Sequence, residues 1–452
     1  PLKLTPPGYY NKDDNDDRAI VWPEENSFNI DLSVFQEAKQ ARNVEISRPG
    51  STLGRSDIYV YPHENARISI SGNPNLSNVR VIMIGMRNPI KTRDINNDDG
   101  LSKSAEIWVN ELRLSDFNED GGWAANARLQ TRLADLGTFD LVGQTSTPGF
   151  GSLDMKVNER SKEQVMKYDI SSNINLGKFF PEESGVQIPV YIGYSESHIQ
   201  PQYNPLDPDI LFKDALDILD PQARDSLKNI AEDYTRRKTI TVSNAGINRQ
   251  KEKSYPWDIS NVTVNYTYNE LYRSNINTEI NLEKNYRGGI NYLYNSRPKN
   301  FAPFKNVKIF RPKIFRIVRD FNFYLMPKHI GFRTDLSRYY NEIKTRNINN
   351  PYIKIKPTFR KDFEWTRFYD VKYDVSRQLK FDFSATNLSR IDEPYGGVDR
   401  ERYRDTYEAW KDTVLMNLKD FGRTTHYRHN INIQYNLPVN KLPLLSWVTS
   451  SI

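Results

Sequence analysis

From about residue 123 onward, hydrophobic and polar residues alternate with a period of two. In "NINTEINLEKNYRGGINYLYN" (275–295), Ile276, Ile280, Leu282, Tyr286, Ile290, Tyr292 and Tyr294 occupy even positions, while Asn275, Asn277, Glu279, Asn281, Glu283, Asn285, Asn291 and Asn295 occupy odd ones. Successive strand side chains point to opposite faces, so the stretch predicts a strand with one apolar and one asparagine-rich face. Val262, Val264, Tyr266 and Tyr268 repeat the pattern, with Asn265 on the other phase. So do Ile170, Ile174 and Leu176, then Val186, Ile188, Val190, Ile192 and Tyr194, and later Tyr369, Val371, Tyr373, Val375, Leu379, Phe381 and Phe383.

Cross-strand neighbours share a face, so a hairpin must carry the apolar phase across its turn. Residues 269–275 between Tyr268 and Ile276 are odd in number, as are Arg287, Gly288 and Gly289 between Tyr286 and Ile290. A three-residue turn at Arg287, Gly288 and Gly289 satisfies the rule, and one long strand kinked at the glycines stays open beside it. The segments so defined, 259–268 and 276–286, have the ~9–11 residues of a membrane-spanning strand rather than the ~5–6 of a soluble one. Lys284 and Arg377 fall on the apolar phase, where a headgroup region would let them snorkel.

Residues 1–122 read differently. "SVFQEAKQARN" (33–43) predicts a short helix with a Ser33/Gln36 capping box. "DIYVYP", "ARISIS", "NVRVIMIGM" and "AEIWVNELRLSDF" predict strands, and 79–86 is apolar on both phases apart from Arg80, as in an interior strand between two layers. The expectation is a jelly-roll-like β-sandwich. Barrel-type strands follow at 123–200, a Pro-rich loop with a helical insert at 201–236 (Asp220 and Pro221 as N-cap and first turn), strands at 237–399, a helix at 400–422 and further strands at 423–452. Tyr403, Tyr407, Trp410, Val414, Leu418 and Phe421 give the second helix its stripe, with Gly422 at its C-terminal cap. The expected fold class is all-β with two helical inserts: a partial, very large antiparallel transmembrane β-barrel wall plus the sandwich.

Mean hydropathy is −0.72, and no apolar run approaches the ~20 residues of a spanning helix, which does not exclude a barrel. The 63 basic and 57 acidic residues leave +6, read as a small bias spread along the chain and not as a nucleic-acid arm. With no cysteine there is no disulfide or thiolate chemistry. The chain starts at Pro1 without a targeting signal and ends in "PLLSWVTSSI"; both ends read as cuts, so a fragment is expected.

Candidate chemistry is sparse. His426 and His429 are three apart on a strand and face opposite sides, against a shared metal. Asp94, Asn96 and Asp98 in "DINNDDG" have calcium-loop spacing, but Asp99 replaces the glycine and Ala105 the final glutamate, so a solvated turn competes with a weak calcium site. No phosphate loop, nucleophile elbow or acid/base pair is present, so neither a cofactor nor catalysis is expected.

"SAEIWVNELRLSDFNEDGGWAANARL", "GFGSLDMKVNERSKEQVMKYDISSNINLGKFFP", "IPVYIGYSESHIQPQYNPLDPDILFKDAL", "YRGGINYLYNSRPKNFAPF", "FSATNLSRIDEPYGGVD" and "YNLPVNKLPLLSW" together closely resemble the SprA (Sov) family, from about residue 75 to the C-terminus. That family is the outer-membrane translocon of type IX secretion and gliding in Bacteroidetes. The resemblance implies a non-catalytic pore for folded cargo proteins with C-terminal secretion signal domains. It also implies a smaller outer-membrane barrel partner, a periplasmic plug protein, contact with outer-membrane lipid and no nucleic acid. Asn265, Asn275, Asn277, Glu279, Asn281, Glu283, Asn285 and Asn291 are then lumen-facing candidates; Val262, Val264, Tyr266, Ile280, Leu282, Tyr286 and Tyr292 are lipid-facing ones. Alternatives are a secreted multi-sandwich adhesin or glycan-binding protein, and a TonB-type receptor or porin fragment.

Overall fold

Period-two patterning over more than ten residues needs a sheet with two different surroundings, and a long antiparallel sheet is what the chain builds. The computed structural model describes residues 3–63, 66–87, 101–102, 104–117, 120–248, 255–348, 353–442, 447–448 and 450–451. These form two compact units, Pro1–Glu119 with Pro201–Leu227, and Asp120–Gln200 with Lys228–Ile452.

The first unit holds helices α1 (Asn15–Val21) and α2 (Ser33–Ser47) and a hairpin of β1 (Tyr59–His63) and β2 (Ala66–Ile70). Val34 and Ala38 of α2 bury against Ile68 and Ile70 of β2. The Ser33/Gln36 capping box does not form. Asp31 accepts from the Ser33 N–H at 2.8 Å, and the Gln36 amide donates instead to the Asp209 carbonyl at 2.6 Å. Asp31 stands one residue before the N-cap Leu32, and its short carboxylate satisfies one of the helix's free N–H groups from outside. Lys39, buried in α2, pairs with Asp209 at 2.6 Å and Asp207 at 3.3 Å.

A jelly-roll-like sandwich is not formed by the described residues of 1–122. β1 and β2 stand alone as a hairpin, and 79–87 and 104–117 carry no strand ladder. Val81, Met83 and Trp108 are exposed. A run apolar on both phases is buried only between two layers, and among the described residues these segments meet neither.

The second unit is one antiparallel sheet. Its long strands are β3 (Ala124–Leu133), β4 (Gly137–Ser146), β5 (Glu163–Asn175), β6 (Pro189–Pro201), β7 (Asp233–Ile247), β8 (Val262–Ser274), β9 (Thr278–Asn295), β10 (His329–Thr345), β11 (Thr358–Asp374), β12 (Leu379–Arg390) and β13 (Arg423–Leu437). Neighbours in the sheet are neighbours in the chain, with Val186–Gln187 on β7 and Ser450–Ser451 on β13 bringing it to 13 strands. Among the described residues the sheet stays open, with β3 at one edge.

Of the two readings open for the glycine pair, the continuous strand forms and the three-residue turn does not. β9 runs unbroken through Gly288 and Gly289, which stand in register with Tyr266 and Asn265 of β8 and with Leu336 and Asp335 of β10. Gly289 serves a close approach: a Cβ there would lie 2.7 Å from the Asp335 carboxylate. The turn lies at 275–277, where the Asn275 side chain accepts from the N–H groups of Asn277 (3.0 Å) and Thr278 (2.9 Å). Even-to-even pairing survives this change, with Tyr268 opposite Tyr286 and Val264 opposite Ile290.

Two helical inserts interrupt the strands. The first comprises α3 (Phe212–Asp217) and α4 (Pro221–Ala231), where Asp220 caps the Ala223 N–H at 2.9 Å. The second is α5 (Arg404–Lys419); Gly422, at φ 69°, follows it and donates to the Asn417 carbonyl at 2.8 Å. Among the described residues no helix is long and apolar enough to cross a membrane.

Candidate functional site

The site is the sheet itself, because alternation gives it two chemically unlike faces. The polar face includes Thr267, Arg287, Ser337, Glu364 and Arg390 in one cross-strand row. The next row but one carries Thr263, Asn291, Arg333, Phe368, Thr386 and Arg428. Its side chains bond one another: Asn341 to Asn281 at 3.2 Å, Asn285 to Glu283 at 3.1 Å, Arg333 to Asp335 at 2.7 Å.

On the other face an apolar band of exposed and half-buried side chains crosses the strands at a slant. Ile192 pairs with Ile240, Val264 with Ile290, Tyr292 with Phe332 and then Tyr369, and Val371 with Phe383 and then Ile431. Following the register from Ile192 leads to Arg338 on β10, whereas following it back from Ile431 leads to Ile330. The band therefore slips 8 residues over the 7 steps from β6 to β13. With ~3.3 Å per residue and ~4.8 Å between strands, the strands lean roughly 40° from the band's normal.

One end of this face is covered and charged. Glu196 accepts hydrogen bonds from the hydroxyls of Tyr168, Tyr194 and Tyr234. Glu270 takes the Tyr268 hydroxyl at 2.6 Å and the Arg236 guanidinium at 3.2 Å, with Lys284 at 3.7 Å. Arg338 forms a two-pronged pair with Glu393 (2.7 and 2.8 Å), and its guanidinium lies 4.9 Å from the Trp410 ring of α5. Glu342 accepts from Arg402, Tyr340 and Tyr403. In the loop before α5, burial and the bond to Glu342 push the Tyr403 hydroxyl up to about 12.

The candidates divide accordingly. Asn265, Asn281, Glu283, Asn285 and Asn291 lie on the polar face. Asn275 and Asn277 build the turn, and Glu279 sits at a bulge, paired with Lys344 at 2.6 Å. Val264 and Tyr266 are exposed in the apolar band, and Val262 and Tyr292 are half-buried beside them, the Tyr292 hydroxyl donating to the Pro256 carbonyl at 2.7 Å. Ile280 lies at the strand end opposite Lys344. Leu282 and Tyr286 share the apolar phase but belong to the covered end: Leu282 is 6% exposed, and Tyr286 packs on Tyr268 at 4.9 Å. Lys284 belongs to the same rim, and Arg377 lies outside the strands, between β11 and β12. Sequence reasoning missed Ile431 and Ile433 as band members, although "HNINIQYNL" alternates cleanly. It also missed Glu270, Arg338 and Glu342, whose charges on the apolar phase were the available sign.

His426 and His429 stand opposite Leu388 and Ala385, on alternate faces. Among the described residues no three His, Cys, Asp or Glu side chains converge as metal ligands. Asp94, Asn96 and Asp98 lie outside the described residues.

Residues 1–216 match the family described as "Motility related/secretion protein", SprA_N. The match takes in the first 75 residues, ahead of the segments that carried the resemblance in the sequence. A comparison with curated proteins gives no match.

Proposed function

We propose, on the premise that this is a SprA-family motility and secretion chain, that its large sheet is part of an outer-membrane barrel wall around a protein-conducting pore. The apolar band faces lipid. The polar face lines a wet passage through which folded cargo with a C-terminal signal domain leaves the cell, in secretion and gliding. The wall performs no catalysis, and it works with a smaller barrel partner and a periplasmic plug protein.

The observation that carries the reading is the slanted band. A soluble sandwich would cover these apolar side chains with a second layer, yet Ile192, Ile240, Ile290 and Ile431 are exposed. The lean of roughly 40° agrees with the ~35–45° tilt of strands in membrane barrels. Asparagines hydrogen-bonded to one another and to glutamate suit the passage because they stay hydrated and offer no apolar grip to cargo.

The test uses adjacent positions on β9 with opposite faces. Cysteines placed singly at Ile290 and Asn291, in a chain that has no cysteine of its own, are treated in cells with a membrane-impermeant maleimide, with the unsubstituted full-length protein as the background control. Asn291→Cys is expected to label and Ile290→Cys to resist. Equal labelling of both defeats the assignment of faces.

A further inference from the structure

The chain's positive charge is concentrated in one connection. Residues 297–328, between β9 and β10, hold nine Lys and Arg and a single acid, Asp320. That net of +8 exceeds the chain's +6, so all other residues together carry −2. The expectation of evenly spread charge is thereby corrected.

The same segment is aromatic. Phe301 and Phe323 meet at 5.3 Å, Phe304 and Phe310 at 5.6 Å, and Phe310 and Phe315 at 6.0 Å. Ile309, Ile314 and Leu325 project outward, each more than 70% exposed. Lys305, Lys308, Arg311 and Arg316 are exposed beside them. Among the described residues no ion pair engages Lys305, Lys308 or Arg311, while Asp320 is shared by Arg319 at 3.2 Å, Lys441 at 3.5 Å and, more loosely, the half-exposed Arg316 at 3.8 Å.

The segment is anchored where the apolar band reaches a strand end. The Tyr324 N–H donates to the Val375 carbonyl at 3.1 Å, and the Arg377 N–H donates to the Asn322 side chain at 3.0 Å. Tyr373, in the cross-strand row of Phe381 and Ile433, donates its hydroxyl to the Tyr324 carbonyl at 2.7 Å. Aromatic rings continuing an apolar band, with unpaired cations beside them, have the composition of an element at a lipid–water boundary.

We propose that 297–328 is an interfacial anchor that binds the phosphate headgroups of an anionic lipid leaflet through Lys305, Lys308, Arg311 and Arg316, with its apolar side chains set among the acyl chains. The proposal rests on the reading of the apolar band as lipid-facing. It goes beyond that reading by giving the wall a preferred headgroup at one rim. Basic side chains near an anionic surface each add attraction that fades within a Debye length, so the preference must fall with salt.

The test is flotation of the full-length protein with vesicles, comparing phosphatidylcholine alone with phosphatidylcholine containing one fifth phosphatidylglycerol. The wall alone predicts capture by both. The anchor predicts capture about tenfold stronger with phosphatidylglycerol, reduced at high salt, and lost in K305Q/K308Q/R311Q/R316Q while phosphatidylcholine capture and the β circular-dichroism signal persist. Equal capture by the two vesicles overturns the anchor and leaves the wall standing, as does an undiminished preference in the variant. Failure to float with either lipid overturns the wall.

Discussion

Arg402 reaches back to Glu342, its guanidinium nitrogens 2.9 and 3.2 Å from a carboxylate with no exposed surface. Tyr340 and Tyr403 fill the remaining acceptor positions at 3.0 and 2.8 Å. The loop that leads into α5 is thus tied to β10 by a charge pair whose carboxylate is buried and whose guanidinium still meets solvent. Removing the guanidinium leaves the buried carboxylate with only the two tyrosine hydroxyls, at a cost of about 1–3 kcal/mol once the solvent exposure of Arg402 is allowed for. Arg402→Ala is expected to destabilise the folded sheet by that order. Arg402→Lys recovers only part, since an ammonium cannot reproduce the two-pronged contact. Denaturant unfolding of both variants in detergent checks this, and wild-type stability in Arg402→Ala would refute the tie.

The adjacent glycines of β9 should respond differently to a methyl group. At Gly289 the Cβ would sit 2.7 Å from the Asp335 carboxylate, whereas at Gly288 its nearest neighbour is the Tyr266 ring at 4.0 Å. Gly289→Ala is expected to cost about 1 kcal/mol, because the Asp335 carboxylate is the end of a flexible side chain and turns aside at the expense of its pair with Arg333. Gly288→Ala is expected to stay within about 0.5 kcal/mol. Urea midpoints of the two variants compare them directly.

A cation on the apolar band should carry a depth-dependent penalty. Ile290→Lys is expected to lower folding stability in vesicles by about 2–4 kcal/mol if Ile290 lies near mid-bilayer. Asn291→Lys, on the polar face, is expected to change it by less than about 0.5 kcal/mol. A similar effect of both substitutions would contradict the two-faced wall.

Acid should loosen the insert around α5. The hydrogen bond and charge of Arg423 hold Asp392 below the ordinary carboxylate range. Burial pushes Asp399 up, but the Arg402 backbone N–H and guanidinium, with the Glu401 N–H, outweigh it and leave it lowered. A carboxylate lowered on folding stabilises the fold above its unfolded pKa, and that contribution fades as pH falls through the folded value. The insert is therefore expected to hold at neutral pH and to gain hydrogen exchange below about pH 4. Exchange in 391–422 that stays constant from pH 7 to pH 3, after correction for the intrinsic rate, would contradict this.

Much of the sheet was readable from alternation because face assignment depends only on parity. Tyr268 meets an even-numbered partner wherever an odd-length turn falls, Ile276 across 269–275 or Tyr286 across the turn that forms. Strand ends were harder to read. Glu270 and Arg273 look like loop residues in sequence and Lys284 like a misplaced charge on a strand, yet Glu270 and Lys284 are members of an ion-paired rim on strands. A charge looks out of place until its partner is known, and the partners come from other strands. The glycine pair misled for a related reason: in one dimension a tight turn and a close approach by the next strand look alike. In residues 79–86 the demand for two covering layers was evident, but nothing in the run says where those layers come from.

The strand order has a consequence for how such a wall changes size. Each long strand sits beside the one that precedes or follows it in the chain, so no ladder waits for a distant segment. Inserting one more hairpin between two others would widen the perimeter by about 12 Å at this lean, with the existing pairs untouched. Circumference in a sheet of this kind is an additive property of the gene, open to growth by duplicating single hairpins.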